Sequence, residues 1–368
     1  MNMRAAIVGC GKIADQHAEI IQRIPGCEIV GVSDQEILMA GQMQDRFNVK
    51  QRFTDVKQML EESKPDVVHI TTPPRSHFEL SKICMEAGCH VYVEKPFTLN
   101  TPEAEQLVEY AQAKNLKLTV GHNYQFTHAA RSMRQLVADG FLGGPPLHME
   151  SYYCYNLGDT TYAKSVLGDK NHWVRKLPGR LLHNIISHGI AKIAEFMVST
   201  KPTVMAHGFT SPLLKRMNET SIIDELRVIV YDGDNATAYF TFSSQMHPVL
   251  HEFRLYGKVN GLVVDDDHET LVKLSGTKYK SYLDHFLPPI IVGKEYLANA
   301  YGNLKNLATR KSFMDSGLRY LIQHFYQSIY DDAPLPIPYR EIILTSRIMD
   351  SIFEQLEISS SGRGGRAF

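Results

Sequence analysis

A lysine at the end of an apolar run is the residue in this sequence whose type and position most clearly suit catalysis. Lys95 follows the strand-like run Cys89–Val93 and precedes Pro96. A proline restricts the residue before it to extended geometry, so Lys95 should be held at the tip of a strand. A partly desolvated lysine has a lowered pKa and can orient or protonate a substrate oxygen. Taken alone, the same position favours an ordinary surface lysine.

A glycine-rich turn directly after the first apolar run predicts a dinucleotide site. Gly9 permits a tight turn, Gly11 lets the backbone approach a pyrophosphate, and Ala14 stands where a third glycine is usual. The helix that begins at Lys12 and Ile13 offers unpaired N–H groups and a positive dipole end to the phosphates. The motif alone is weak, but its position between a strand and a helix strengthens it.

A carboxylate about 20 residues beyond this turn predicts which dinucleotide binds. Asp34 ends the second apolar run, where it can accept hydrogen bonds from the adenosine ribose hydroxyls. It would repel the 2′-phosphate of NADP, Glu36 adds to that repulsion, and no arginine lies immediately beside Asp34. NAD is therefore favoured over NADP. The alternative is that Asp34 is an ordinary turn aspartate.

A second loop is predicted at the same edge of the sheet. Thr72, Pro73 and Pro74 follow the third long apolar run, and His77 begins the next helix. Ligands of doubly wound folds bind at the carboxyl ends of the strands, so backbone contacts to the cofactor are expected from this loop. Glu94, at the end of the following strand, is assigned to the same cofactor site. No side-chain chemistry is expected of His77.

An apolar helix predicted over Leu181–Val198 carries the third group of candidates. Asn184 and His188 are four residues apart and share a helical face. A histidine on such a helix is more often packed than catalytic, and His183 is assigned to that packed class. Two histidines five residues apart do not share a face well, and no carboxylate completes a ligand set, so no metal site is predicted.

The elements that must position these residues follow two patterns. In the first third of the chain, apolar runs alternate with amphipathic helical segments, which predicts a parallel, doubly wound sheet covered on both faces. Later strands follow one another without helices, with a hairpin signal at Asp232-Gly233, which predicts a large open, mainly antiparallel sheet. The predicted division is an NAD-binding domain at 1–122, an α/β domain for substrate binding and oligomerisation at 123–357, and a flexible tail at 358–368.

Composition excludes several classes of function. The formal net charge is -1, so the chain lacks the basic field that nucleic acid or an anionic membrane attracts. The apolar runs are far shorter than the ~20 residues of a membrane helix. The five cysteines form no CxxC pair and predict reduced thiols. With no signal peptide visible, the expected location is the cytoplasm.

Five motifs together resemble the Gfo/Idh/MocA oxidoreductases, the family of glucose–fructose oxidoreductases and inositol dehydrogenases. The motifs are Gly9-x-Gly11-x-x-Ala14, Thr72-Pro73-Pro74 with His77, Glu94-Lys95-Pro96, Gly121-His122-Asn123-Tyr124, and the helix that carries His188. The Glu-Lys-Pro triplet is the specific one. The resemblance implies a Rossmann domain, a second α/β domain whose open sheet makes homodimers or homotetramers, and NAD(P)-dependent chemistry on a polyol, sugar or sugar nucleotide.

The resemblance also implies roles for individual residues. Lys95 matches the catalytic lysine and His188 the catalytic histidine, while Asn123 is assigned to the cofactor site. The family aspartate four residues before the histidine is Asn184 here, and an amide can orient a hydroxyl but cannot relay a proton. Substrate contacts are expected from Lys95, Tyr124, Tyr155, Tyr162, Lys164, His172, Trp173, Arg175, Asn184 and His188.

The predicted function is an NAD-dependent dehydrogenase acting on a secondary alcohol of a sugar-like substrate. His188 would take the hydroxyl proton, and Lys95 would hold and polarise the same oxygen. One alternative is redox-neutral cleavage of a glycosidic bond, because transient oxidation acidifies the neighbouring C–H. The other is a non-catalytic sensor of NAD and sugar, which the presence of both Lys95 and His188 disfavours.

Overall fold

The computed structural model describes residues 3–156, 168–233, 235–308 and 316–361. Tyr162, Lys164 and residues 362–368 of the predicted tail lie outside these ranges. The chain divides into two compact units: Met1–His122 with Arg319–Ser346, and Asn123–Leu318 with Arg347–Phe368. The prediction assigned 123–357 to one domain, whereas Arg319–Ser346 groups with the first unit in this division. The roles of the two predicted domains stay predictions.

The first unit is built on a six-stranded parallel sheet in the order β3-β2-β1-β4-β5-β6. Its strands are β1 (Met3–Val8), β2 (Cys27–Ser33), β3 (Arg52–Phe53), β4 (Val67–Ile70), β5 (His90–Val93) and β6 (Leu118–Val120). The helices between them are α1 (Lys12–Ile21), α2 (Ile37–Phe47), α3 (Val56–Ser63), α4 (His77–Glu86) and α5 (Thr101–Ala113). This confirms the predicted doubly wound fold. The chain order reverses between β1 and β4, where such folds bind their ligands.

The second unit is built on a seven-stranded sheet in the order β13-β12-β11-β7-β10-β9-β8. Its strands are β7 (His148–Asn156), β8 (Thr203–Phe209), β9 (Glu225–Tyr231), β10 (Thr237–Ser243), β11 (Gln245–Tyr256), β12 (Asn260–Asp265) and β13 (Thr270–Ser275). Its helices include α6 (His128–Ala138), α7 (Arg180–Ile185), α8 (Ser187–Phe196), α9 (Pro212–Arg216) and α10 (Leu287–Ala308). Among the described strands of this second sheet, only β7 and β10 pair in parallel, so the mainly antiparallel prediction is confirmed.

Two helices follow near the end of the chain, α11 (Ser316–Tyr330) and α12 (Tyr339–Ser361). Polar contacts explain why Arg319–Ser346 belongs to the first unit. The Tyr326 hydroxyl lies 3.0 Å from Nε2 of His69. The Lys117 ammonium pairs with Asp332 at 2.8 Å, and the Leu118 N–H donates to the Tyr339 hydroxyl at 3.2 Å. The last helix continues to Ser361, into the predicted tail.

The helix predicted over Leu181–Val198 is divided at one residue. Ile186 separates α7 from α8, yet its backbone stays in the helical region at φ -74 and ψ -13. Asn184 therefore lies on the first helix and His188 on the second. Close packing fixes the start of α8, because a side chain at Gly189 would come within 2.5 Å of the Phe240 ring.

The two faces of β8, β9 and β10 differ sharply in exposure. Residues such as Val228 and Phe240 point to the buried face. On the other face, Met205 pairs across strands with Ile229, and Ile229 pairs with Tyr239. These three side chains form a continuous row with exposures of 52%, 40% and 49%. We name this row, Met205–Ile229–Tyr239, the open face of the sheet.

Helix α10 is held to the second unit by polar contacts and buries no side chain fully. None of its residues is buried, and Leu297 and Tyr301 are more than two-thirds exposed, at 73% and 71%. The Asn299 amide forms two hydrogen bonds with the backbone of Leu271, at 2.9 and 2.8 Å. Within the described ranges, no helix is both long and apolar enough to cross a membrane.

Candidate active site

The turn after β1 has the geometry that a dinucleotide requires. Gly9 has φ +92, and its N–H donates to the Ser33 carbonyl at 2.8 Å. A Cβ there would lie 2.9 Å from the Thr72 backbone nitrogen, so only glycine lets the turn approach the loop after β4. A Cβ at Gly11 would meet nothing within 4 Å. Open space therefore lies directly before the N-terminus of α1, where phosphate groups bind.

Asp34 joins the ends of β1 and β2. Its Oδ2 accepts the Cys10 N–H at 2.7 Å, and its Oδ1 accepts the Glu36 N–H at 2.9 Å. A carboxylate has about four lone-pair sites, so each oxygen can accept one further hydrogen bond. This half-buried carboxylate can therefore accept two ribose hydroxyls while it fixes the glycine turn.

The loop after β4 is tied to the segment after Lys95 through His77. The imidazole is buried, with Nε2 2.8 Å from the Thr72 carbonyl and Nδ1 2.9 Å from the Pro96 carbonyl. Both partners can only accept, so a neutral ring donates to one of them at a time. Burial lowers the pKa of His77, although the carbonyl contacts oppose this effect. His77 thus braces the two loops that carry the predicted cofactor residues.

Glu94 holds the backbone of Lys95 at the end of β5. One carboxylate oxygen accepts the Lys95 N–H at 3.1 Å, and the other lies 3.1 Å from Nε2 of His17. A Cβ at Gly121 would lie 2.6 Å from the Glu94 carboxylate, so this glycine makes room for it. Burial raises the pKa of Glu94, but His17 and Lys95 together bring it below its ordinary value. Burial lowers the pKa of Lys95, against the opposing effect of the Glu94 charge.

A buried chain of hydrogen bonds continues from Glu94 into the first unit. His17 and His69 share a contact of 2.7 Å between their Nδ1 atoms, and Nε2 of His69 meets the Tyr326 hydroxyl. If Glu94 is ionised and both rings are neutral, His17 must carry its proton on Nε2 and His69 on Nδ1. Tyr326 then donates to His69. All donors point toward Glu94 in this arrangement.

This chain of hydrogen bonds was not predicted, although one of its residues could have been recognised from the sequence. His69 interrupts the apolar run of β4, whose four residues are all buried. A polar residue at a core position needs a partner, which is the clue that leads to His17 and Tyr326.

The second unit gathers several predicted substrate residues around His188. The ring centroid of buried His188 lies 4.8 Å from that of Tyr124 and 5.8 Å from that of Tyr153. The His251 ring lies 4.6 Å from Tyr153 and 4.5 Å from Tyr155. We name these five residues, Tyr124, Tyr153, Tyr155, His188 and His251, the ring cluster.

Two members of the ring cluster, Tyr153 and His251, were not predicted. His251 lies on β11 in alternation with Phe253 and Leu255, and all three are buried. A histidine on the core face of a strand is again the signal that could have identified it.

Other predicted residues have different surroundings. Trp173 stacks on His172, with ring centroids 5.7 Å apart. The Arg175 guanidinium pairs with Glu219 at 2.8 Å. Asn123 begins a short 3-10 turn, Asn123–Phe126, and Asn184 is half-buried on α7. Substrate or cofactor contacts of these residues stay predictions.

A parallel sheet with a glycine turn at its switch point, an acidic residue after β2 and a lysine after β5 defines a nucleotide-binding unit of the dehydrogenase type. The sequence model of a family described as "Oxidoreductase family, NAD-binding Rossmann fold" matches residues 3–122. The match covers the first unit only, and there it confirms the resemblance to the Gfo/Idh/MocA oxidoreductases seen in the sequence.

Two curated relatives are similar to this chain over part of its length. D-Glucoside 3-dehydrogenase of Escherichia coli is 31% identical over 38% of this chain and 40% of its own length. UDP-N-acetylglucosamine 3-dehydrogenase of Acidithiobacillus ferrooxidans is 33% identical over 41% of this chain and 45% of its own length. The alignments therefore span less than half of each relative.

Solved structures share the fold across nearly the whole chain. That of the Acidithiobacillus ferrooxidans enzyme has a TM-score of 0.70 at 20% identity and covers 98% of both chains. A dehydrogenase from Bordetella pertussis, in complex with NADH and UDP-GlcNAcA, has a TM-score of 0.74 at 13% identity and covers 98% of both chains.

Proposed function

We propose that this protein is an NAD-dependent dehydrogenase that oxidises a secondary alcohol of a sugar, polyol or sugar derivative. The observation that carries the proposal is Lys95: it lies two residues after β5, its backbone N–H is held by the buried Glu94 carboxylate, and burial lowers its pKa. Lysines with this combination are suited to acid–base work on a substrate oxygen. The named relatives, a glucoside and a sugar-nucleotide dehydrogenase, support the substrate class.

The residues around the glycine turn fit NAD. The open space at Gly11 suits the pyrophosphate, and the spare acceptor sites of Asp34 suit two ribose hydroxyls. A 2′-phosphate would face this carboxylate, which supports NAD over NADP. The proposed cofactor residues are Gly9, Gly11, Lys12, Ile13, Ala14, Asp34, Thr72, Pro73, Pro74, His77, Glu94, Lys95 and Asn123. When bound, NAD supplies the acceptor for the hydride.

The chain's own residues would divide the remaining work. Lys95 holds and polarises the substrate oxygen, and His188 accepts the hydroxyl proton. Asn184 orients a hydroxyl, since an amide cannot take up the proton itself. Tyr124 and Tyr155, whose rings lie in the ring cluster with His188, are proposed as substrate contacts.

A turnover assay tests the proposal. The full chain is incubated with NAD and, in turn, methyl D-glucoside, myo-inositol and UDP-N-acetylglucosamine, while the reduced nicotinamide absorption band is followed. Accumulation of reduced cofactor supports a dehydrogenase. Release of an aglycone without accumulation indicates redox-neutral cleavage, and NAD binding without turnover of any sugar derivative indicates a sensor. Lys95→Ala serves as the matched inactive control.

A further inference from the structure

His251 and Asp267 form a fixed imidazole–carboxylate pair beside His188. The Asp267 carboxylate lies 2.7 Å from Nδ1 of His251 through one oxygen, and it accepts the His251 backbone N–H at 3.1 Å through the other. Burial raises the pKa of Asp267, but the hydrogen bonds and charge of His251 bring it below its ordinary value. A carboxylate can only accept, so Nδ1 carries the proton, and Nε2 of the neutral ring is an acceptor.

The acceptor side of this pair is buried and meets no donor from the part of the chain that the structure describes. Nε2 of His251 has no hydrogen-bond partner among the described residues, although the side chain is only 5% exposed. The same holds for Oδ1 of Asp266, whose other oxygen pairs with the Lys192 ammonium and whose N–H donates to the His251 carbonyl at 2.9 Å. Buried polar atoms are nearly always paired, so two such atoms on adjoining segments indicate a missing donor.

The surroundings of Nε2 indicate what kind of donor is missing. The rings of Tyr153 and Tyr155 flank His251, and Tyr153 also contacts His188. Aromatic faces pack against C–H groups, while Nε2 of His251 and Oδ1 of Asp266 can accept hydrogen bonds from O–H groups. A polyhydroxylated ligand carries C–H and O–H groups side by side along a compact ring or chain.

We propose that His251, oriented by Asp267, forms a subsite that accepts a hydrogen bond from a hydroxyl group of a polyhydroxylated ligand. Asp266 provides a neighbouring polar oxygen for a second hydroxyl. The subsite rests on the proposed function for the substrate class, but its occupation requires neither NAD nor turnover. His251 thus has a carboxylate partner in Asp267, whereas the residue four positions before His188 is the amide Asn184.

A binding experiment on the full chain tests the subsite directly. The affinities of methyl D-glucoside, myo-inositol and UDP-N-acetylglucosamine are measured by calorimetry without NAD. His251→Phe keeps a ring between the tyrosines and removes the acceptor, so it should weaken the bound probe by about 10-fold or more. His268→Phe is the matched control, because His268 pairs with Asp265 in the same turn but is 75% exposed; it should leave the affinity unchanged.

Asp267→Asn tests the tautomer of His251. It also provides a second, independent variant in case His251→Phe does not fold. The Asn amide oxygen must accept the backbone N–H of His251, so its NH2 group faces Nδ1. His251 then carries its proton on Nε2 and changes from acceptor to donor. We expect weaker probe binding and a change of tautomer in the 15N spectrum of the His251 ring, which a purely structural role would not produce.

The outcomes separate the subsite from the proposed function. Probe binding that His251→Phe weakens, together with absent turnover in the NAD assay, would leave the subsite standing and reject the dehydrogenase. Equal affinity of wild type and both variants would mean that Nε2 pairs with water, and the subsite would be rejected. A wild-type chain that binds none of the three probes would reject it as well.

Discussion

At the scale of single residues, we expect the chemistry of the first unit to depend on Lys95. Its backbone is fixed by Glu94 and its pKa is lowered by burial, so it should exchange its proton at a lower pH than a solvent-exposed lysine. Lys95→Ala should lower kcat by ~10²-fold or more and leave NAD affinity nearly intact, as expected for a positioned acid–base group. Steady-state kinetics and an NAD titration measure both quantities.

The control for this substitution is Lys82→Ala, which removes an exposed lysine from α4. It should behave like the wild type in both measurements. Turnover of Lys95→Ala at the wild-type rate would return Lys95 to the class of ordinary surface residues.

At the same scale, we expect Asp34 to determine the choice between NAD and NADP. NAD should bind at least ~10-fold more tightly than NADP, which corresponds to ~1.4 kcal/mol, because a phosphate would face the carboxylate. Asp34→Ser should narrow this gap, and it also removes the acceptor of the Cys10 and Glu36 N–H groups, so NAD itself should bind more weakly. Fluorescence titration with both dinucleotides measures the effect. Tighter binding of NADP by the wild type would reject the assignment.

At the scale of elements, the first unit buries several histidines in and around its sheet. Burial lowers the pKa of His69 well below its ordinary value, and it lowers the pKa of His122 to about 3. The unfolded chain takes up these protons near pH 6.5, whereas the folded chain does not. Because the unfolded state binds more protons below that pH, the free energy of unfolding must fall as the pH falls.

His122→Phe tests this pH dependence. Between pH 7.5 and 5.5 the wild type should lose stability, and each buried neutral histidine contributes up to ~1.4 kcal/mol per pH unit below ~6.5. The variant should therefore lose about 1 kcal/mol less over this interval. Urea unfolding at both pH values provides the measurement, and His128→Phe, at an exposed position, should match the wild type. An identical pH dependence in His122→Phe would contradict the argument.

The elements also show what the sequence could and could not predict. The glycine turn, Asp34 and Lys95 could be predicted as candidates because they follow strand ends, which apolar runs mark clearly. Short β3 and α3 were missed because two and eight residues carry too little periodicity. The grouping of Arg319–Ser346 was not predictable because Tyr326 meets His69 across 257 positions of sequence. His251 was overlooked for the same reason, since its partners lie on other strands and turns.

At the scale of the whole molecule, the open face of the sheet is the surface where we expect self-association. Met205, Ile229 and Tyr239 form an apolar row across three neighbouring strands, and such exposed patches commonly mark interfaces. We expect a homodimer or homotetramer through this sheet. Ile229→Glu should place an unpaired charge in the contact and shift the molar mass in solution toward the monomer, as measured by light scattering.

Leu38→Glu is the control for this shift, because Leu38 is 68% exposed on α2 of the other unit. It should leave the molar mass unchanged. A wild-type chain that is monomeric, or an Ile229→Glu variant with the mass of an oligomer, would reject the open face as the contact.

The attachment of α10 predicts that this helix detaches locally before the sheet of the second unit unfolds. A helix that buries none of its side chains loses little apolar contact when it detaches. The cost of opening it is therefore set largely by the Asn299 amide, by the Asn303 amide, which donates to the His268 carbonyl at 2.8 Å, and by the Lys273–Glu295 ion pair. The 22 residues of α10 should exchange their amide hydrogens through local opening of the helix. The amide hydrogens of β11 and β7 should exchange only when the sheet unfolds. The second unit would then have a fast-exchanging outer layer on a slow-exchanging sheet, within one continuous chain.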